Sequence, residues 1–181
     1  MSKKTFYPIG RELYERKEMA ELPHWENVVA PQKYEETGCI PAGYEWLIRY
    51  LDINKVNLNR FQDEFDLERS HRGKNDFNSI AQEIMKKYRF IKIKTRDFPT
   101  GLEKLKFILE LIERDVPCLL SLAKTKAGGW HMVPVVKIDE KIKVIWLKNS
   151  QKNETCEYSA GDIIRRHDEW KGGKDIAWIE K

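Results

Sequence analysis

Three apolar runs, VPCLLSLA, WHMVPVVKI and KVIWLKN, follow one another between residues 116 and 149, separated only by the turn-like KTKAGG and DEK. A crossover to a parallel neighbour needs about a dozen residues or more, so connections this short force the runs into an antiparallel meander. The rest of the chain has to cover that sheet. Helical spacing of apolar residues recurs at Ala42, Trp46, Leu47, Tyr50 and Leu51, again at Phe77, Ile80, Ala81, Ile84, Met85 and Tyr88, and again at Leu102, Leu105, Ile108, Leu109 and Ile112. The third helix should end near Asp115, before Pro117.

FIKIKT, from residue 90, alternates apolar and basic residues as a half-buried strand does. The segment from Ser159 to Lys181 is expected to hold a short helix starting at Asp162 and an end strand around IAWIE. The first thirty residues read as a wrapping arm with one short helix around residues 10–20, and polar residues 52–76 as an excursion with a helical turn or two. Helices first and sheet second make an α+β layout, and 181 residues suit a single domain over 1–181.

With 33 basic and 29 acidic residues interleaved along the chain, the net charge of +4 forms no basic stripe, which argues against a nucleic-acid partner. The N-terminus has no apolar signal region and no stretch is long enough to span a membrane, so a cytoplasmic protein without a membrane partner is expected. Cys39, Cys118 and Cys156 are far apart and form no Cys-x-x-Cys pair, so neither zinc nor a disulfide is implied. The pattern calls for no cofactor.

Each thiol can then be judged by its surroundings. Cys118, inside PCLLSL, reads as core, and Cys156, inside polar NETCEYS, as a surface thiol. Cys39 differs, because Thr37, Gly38 and Pro41 mark the start of the helix it opens. Sulfur at a helix N-terminus is favoured as thiolate, the nucleophilic form of cysteine.

A thiolate needs a base, and His131 stands where the Gly128-Gly129 turn enters an apolar strand. Asn149, closing the next strand, is a candidate to orient the imidazole. Gln32, upstream in VVAPQKYEETGC, could place a side-chain amide beside the Cys39 N–H to hold an oxyanion. Trp130 is a candidate cleft wall. His71 reads as a solvated loop residue, His24 as packing or surface, and His167, beside Asp168, as a backup base.

Gln32, Cys39-Ile40-Pro41-Ala42, the helix from residue 102, Val116-Pro117-Cys118-Leu119, Gly128-Gly129-Trp130-His131 and Leu147-Lys148-Asn149-Ser150 occur in one order. That order resembles the papain-like cysteine peptidases, nearest to the bacteriocin-leader-processing, double-glycine-peptidase-like branch, over about residues 28–150. Ile40 stands where that branch usually carries Gly, and Asn149 matches papain where the branch usually carries Asp-Pro.

The resemblance implies a papain-like fold, with the cysteine at a helix N-terminus packed on a C-terminal antiparallel sheet. It implies a peptidase that cuts an amide bond of a peptide or protein substrate through Cys39, His131, Asn149 and Gln32. Two alternatives keep the fold: a catalytically inactive papain-like domain that binds peptides or regulates a partner, and a transglutaminase-like acyltransferase.

Overall fold

The computed structural model describes residues 19–34, 38–51, 58–72, 77–87, 93–139, 141–148 and 154–179. Among them are seven strands: β1 (Ala20–Glu21), β2 (Lys94–Asp97), β3 (Cys118–Thr125), β4 (Gly128–Ile138), β5 (Lys143–Leu147), β6 (Thr155–Ser159) and β7 (Asp175–Trp178). Five helices accompany them: α1 (Cys39–Leu51), α2 (Phe61–Arg72), α3 (Phe77–Lys87), α4 (Gly101–Glu113) and α5 (Ala160–Glu169).

The expected meander forms, and all pairings in the sheet are antiparallel, in the order β2-β7-β3-β4-β5-β6 with β1 added beside the end of β4. Directly paired residues share a face and successive residues alternate. Leu119 and Pro134 therefore stand on one face, and Leu122 and His131 on the other. On the first face Gly43 of α1 lies so close that an added Cβ would meet Leu119 Cδ1 at 3.0 Å. On the second, Phe107 of α4 meets the Trp178 ring edge-on with centroids 5.0 Å apart. Trp178 pairs with Cys118, which shares the face of Leu122 and His131.

The helices are held at their ends by local chemistry. Thr100 caps α4 by accepting from Glu103 N, and Ser159 caps α5 by accepting from Asp162 N. These two helices then touch at Gly101, where a Cβ would come 2.5 Å from Ile164 Cα and 3.1 Å from His167 Cβ. Gly101→Ala is accordingly expected to push α5 off α4 and destabilise the protein by about 1–3 kcal/mol, seen as a lower denaturant midpoint.

Two sequence expectations change, two strands were not foreseen, and one expected helix falls largely outside the described residues. Residues 61–72 form a full helix: Phe61 and Phe65, one turn apart, are both buried, and tertiary contacts fix the polar remainder. The strand expected from Phe90 is assigned from Lys94 and lies mostly exposed at the sheet edge beside β7, while residues 90–92 lie outside the described residues. Two strands went unread, β1 because it has only two residues and β6 because Thr155–Ser159 is a polar edge strand. The helix read around residues 10–20 lies outside the described residues up to 18, and Ala20 itself is in β1. Among the described residues no helix is long and apolar enough to cross a membrane.

Candidate active site

Cys39 is the first residue of α1 and is 9% exposed. No acidic side chain lies in the first turn, so nothing there offsets the positive end of the helix dipole. Pro41 fits that turn because the N–H it lacks would have no partner inside the helix.

Gln32 is brought directly to this helix start. Gly38 donates to the Tyr34 carbonyl at 3.0 Å, and a Cβ on Gly38 would stand 2.0 Å from that oxygen and 2.7 Å from Gln32 Cγ. Only glycine allows the approach. The Gln32 amide itself donates from Nε2 to the Tyr34 carbonyl at 2.6 Å.

A residue of α2 holds the segment in place. Buried Gln62 donates to the Pro31 carbonyl at 2.8 Å and accepts from Lys33 N at 2.9 Å, bracketing Gln32 on both sides. Its Nε2 also donates to buried Glu45 of α1 at 2.8 Å, and Glu45 is paired with Arg49 at 2.7 Å. α1, α2 and the Gln32 segment thus form one bonded unit.

His131 lies on β4, the strand on which α1 packs, but on the sheet face opposite Leu119. Its ring meets Trp146 edge-on at 6.2 Å, and its Nδ1 is buried with no hydrogen-bond partner among the described residues. Burial and then the Lys124 ammonium hold the imidazole below its ordinary pKa, so the ring is neutral at pH 7 and can accept a proton. It opens on a cleft of about 380 Å³ walled by Trp146, Tyr158, Lys124 and Arg166. Cys39 is not among the described residues that line it. Among the described residues the structure therefore joins Gln32 to the cysteine helix, leaves His131 Nδ1 without a partner and does not bring His131 to Cys39. Asn149 lies outside the described residues.

The other histidines and cysteines sort by burial. His167 is 1% exposed, with Nε2 2.9 Å from the Phe98 carbonyl; burial, then Lys104 and Lys174, bring its pKa down to about 4. It is a structural residue of the α4–α5 joint, not an accessible base. His71 is exposed on α2, where a loop was expected, and His24 is exposed in a left-handed turn at φ 59°. Cys118 is fully buried, and burial pushes its thiol up to about 12, as a core cysteine requires. Cys156 is half-buried on β6. Trp130 is not among the described residues lining the His131 cleft.

Sequence reasoning missed Gln62, Trp146, Tyr158 and Arg166. Arg166 sits in the charged run RRHDEW, yet its guanidinium lies 4.7 Å from both the Tyr158 and Trp170 rings and donates from Nη1 to the Ala123 carbonyl at 3.0 Å. An exposed charge would not need three such partners.

No protein-family model matches the sequence, and no curated protein matches it. Among solved structures the chain is similar to a Bacillus anthracis protein provisionally named a C39-like peptidase, with a TM-score of 0.59 and 13% identity over 91% of this chain and 98% of that one. At that identity the likeness is one of fold, and the α+β fold of this chain is papain-like.

Proposed function

We propose that this protein is a cysteine-type peptidase that hydrolyses an amide bond, with Cys39 as nucleophile. The observation that carries the reading is the placement of Cys39 on the first turn of α1, with Gln32 packed against the residue before it and α1 resting on the strand of His131. His131 would take the thiol proton and later deliver it to the leaving amine. Gln32 and the Cys39 N–H would hold the oxyanion, and Asn149 would orient the imidazole. In this structure His131 stands on the sheet face opposite the one on which α1 packs, so the peptidase reading requires the ring and Cys39 to be brought to one side, a rearrangement the binding reading below does not need. Within this reading the substrate is a peptide, with the leader-processing peptidases as the nearest pattern.

A second reading keeps the fold without the reaction: a papain-like domain that binds peptides. The cleft beside His131, whose described lining omits Cys39, favours it. Alkylation separates the two. With iodoacetamide at neutral pH, mass spectrometry should find Cys39 modified at least tenfold faster than Cys156, although Cys39 is the more buried. Equal rates, or slower modification of Cys39, would leave only the binding reading.

A further inference from the structure

We propose that the cleft beside His131 is a binding site for a carboxylate group, formed by Trp146, Arg166 and Lys124 between β3, β4, β5 and α5. The inference goes beyond the peptidase reading and stands whether or not Cys39 reacts. If that reading holds, the carboxylate belongs to the peptide substrate.

Seven buried side-chain polar atoms lack a partner among the described residues, and three of them, His131 Nδ1, Trp146 Nε1 and Arg166 Nε, belong to residues lining this one cleft. Indole N–H and guanidinium Nε–H can only donate, and the neutral imidazole can donate from Nδ1. Native proteins rarely leave such groups unsatisfied; these three lie beneath the cleft wall, and a ligand that brings acceptors would satisfy them as their side chains turn toward it.

Charge narrows the class. Lys124 and Arg166 supply two cations, and no acidic residue is among the described lining. The guanidinium is already immobilised between Tyr158 and Trp170 with Nη1 on the Ala123 carbonyl, so little ordering is lost when an anion binds beside it. The walls beside these donors are the Trp146 and Tyr158 rings, stacked 5.4 Å apart, with Leu122 and Val133. Apolar walls around a few convergent donors suit an organic acid better than a bare, strongly hydrated inorganic anion.

The test follows the indole N–H resonance of Trp146 by nitrogen-edited NMR in the Cys39→Ala protein, which cannot turn a peptide over. Loss of one peak in Trp146→Phe identifies it. The probes are N-acetyl-dialanine with a free C-terminal carboxylate, the same peptide as its C-terminal amide, N-acetyl-alanyl-glutamate amide, and inorganic phosphate. A saturable shift with the free acid, the glutamate peptide or both supports the site, and the stronger of the two names a terminal or a side-chain carboxylate as its ligand. Lys124→Gln, at an exposed position that the fold does not need, should weaken that binding at least tenfold. The proposal is overturned if the amide shifts the peak as well as the acid does, if neither carboxylate peptide shifts it, if phosphate binds more tightly than both, or if Lys124→Gln binds unchanged. Because binding is read in a protein without the nucleophile, failure here leaves the peptidase reading to its own test.

Discussion

Cys39→Ala should lower kcat/KM on peptide substrates by at least about a thousandfold while leaving the fold intact. The change removes only a sulfur, from a residue at the edge of the core, so the folding cost should stay near 1 kcal/mol. The acyl-enzyme route, in contrast, disappears entirely. The measurement is turnover of a fluorogenic peptide library together with labelling by an acyloxymethyl-ketone probe, wild type against variant, with circular dichroism as the folding control.

His131→Ala should cost nearly as much, and the double variant little more than either alone, because nucleophile and base act as a unit. Gln32→Ala should cost about a hundredfold if its amide leaves the Tyr34 carbonyl to hold the oxyanion, and much less if it stays there. Turnover of Cys39→Ala at the wild-type rate would remove the peptidase assignment, whatever the histidine variants do.

How much of this could be read from the residues depends on how local each signal is. The meander was legible because its runs are apolar and its connections too short for any other topology, and β3, β4 and β5 lie where expected. The helix that Cys39 opens was legible from its start signals and its apolar spacing. Helix α2 was not, because its own sequence offers little beyond Phe61 and Phe65. Gln62, bonded to residues 17, 29 and 31 positions away, shows that the order of this region is tertiary. For the site, the motif order led to the expectation of the Gln32 amide beside the Cys39 N–H; the structure brings Gln32 Cγ to Gly38 but turns the amide to the Tyr34 carbonyl. The His131 cleft was not legible, since its walls come from β3, β4, β5, β6 and α5 and no motif spans them. His167 marks a signal that was present and unused: Ala160, Ile163, Ile164 and His167 fall at helical spacing on one buried stripe of α5, whereas the adjacent Asp168 led to its reading as a backup base.

That buried histidine carries the second large prediction, a loss of stability in mild acid. In the unfolded chain His167 titrates near 6.5, and in the fold near 4, because burial, then Lys104 and Lys174, oppose the charged ring while the Phe98 carbonyl and Asp168 favour it. Between those values the unfolded chain binds a proton that the folded one refuses, so stability falls as pH drops from 6.5 to 4, by on the order of 3 kcal/mol in all. The neighbouring cation does not confuse the result. Lys104, which donates to the Ser121 and Gly173 carbonyls, is pulled by burial from 10.5 to about 7, so its own contribution changes only between pH 10.5 and 7 and is constant in the acid window. His167→Gln can keep a donor on the Phe98 carbonyl without a titrating ring. Urea unfolding at pH 7 and pH 4.5 should then show a shallower acid loss in the variant than in the wild type, by most of that amount. An identical loss in both proteins would mean that the carboxylates, not His167, set the acid limit. Since His167 anchors α5 against the chain entering α4, and α5 presents Arg166 to the cleft, the same protonation should loosen the cleft wall before the sheet gives way.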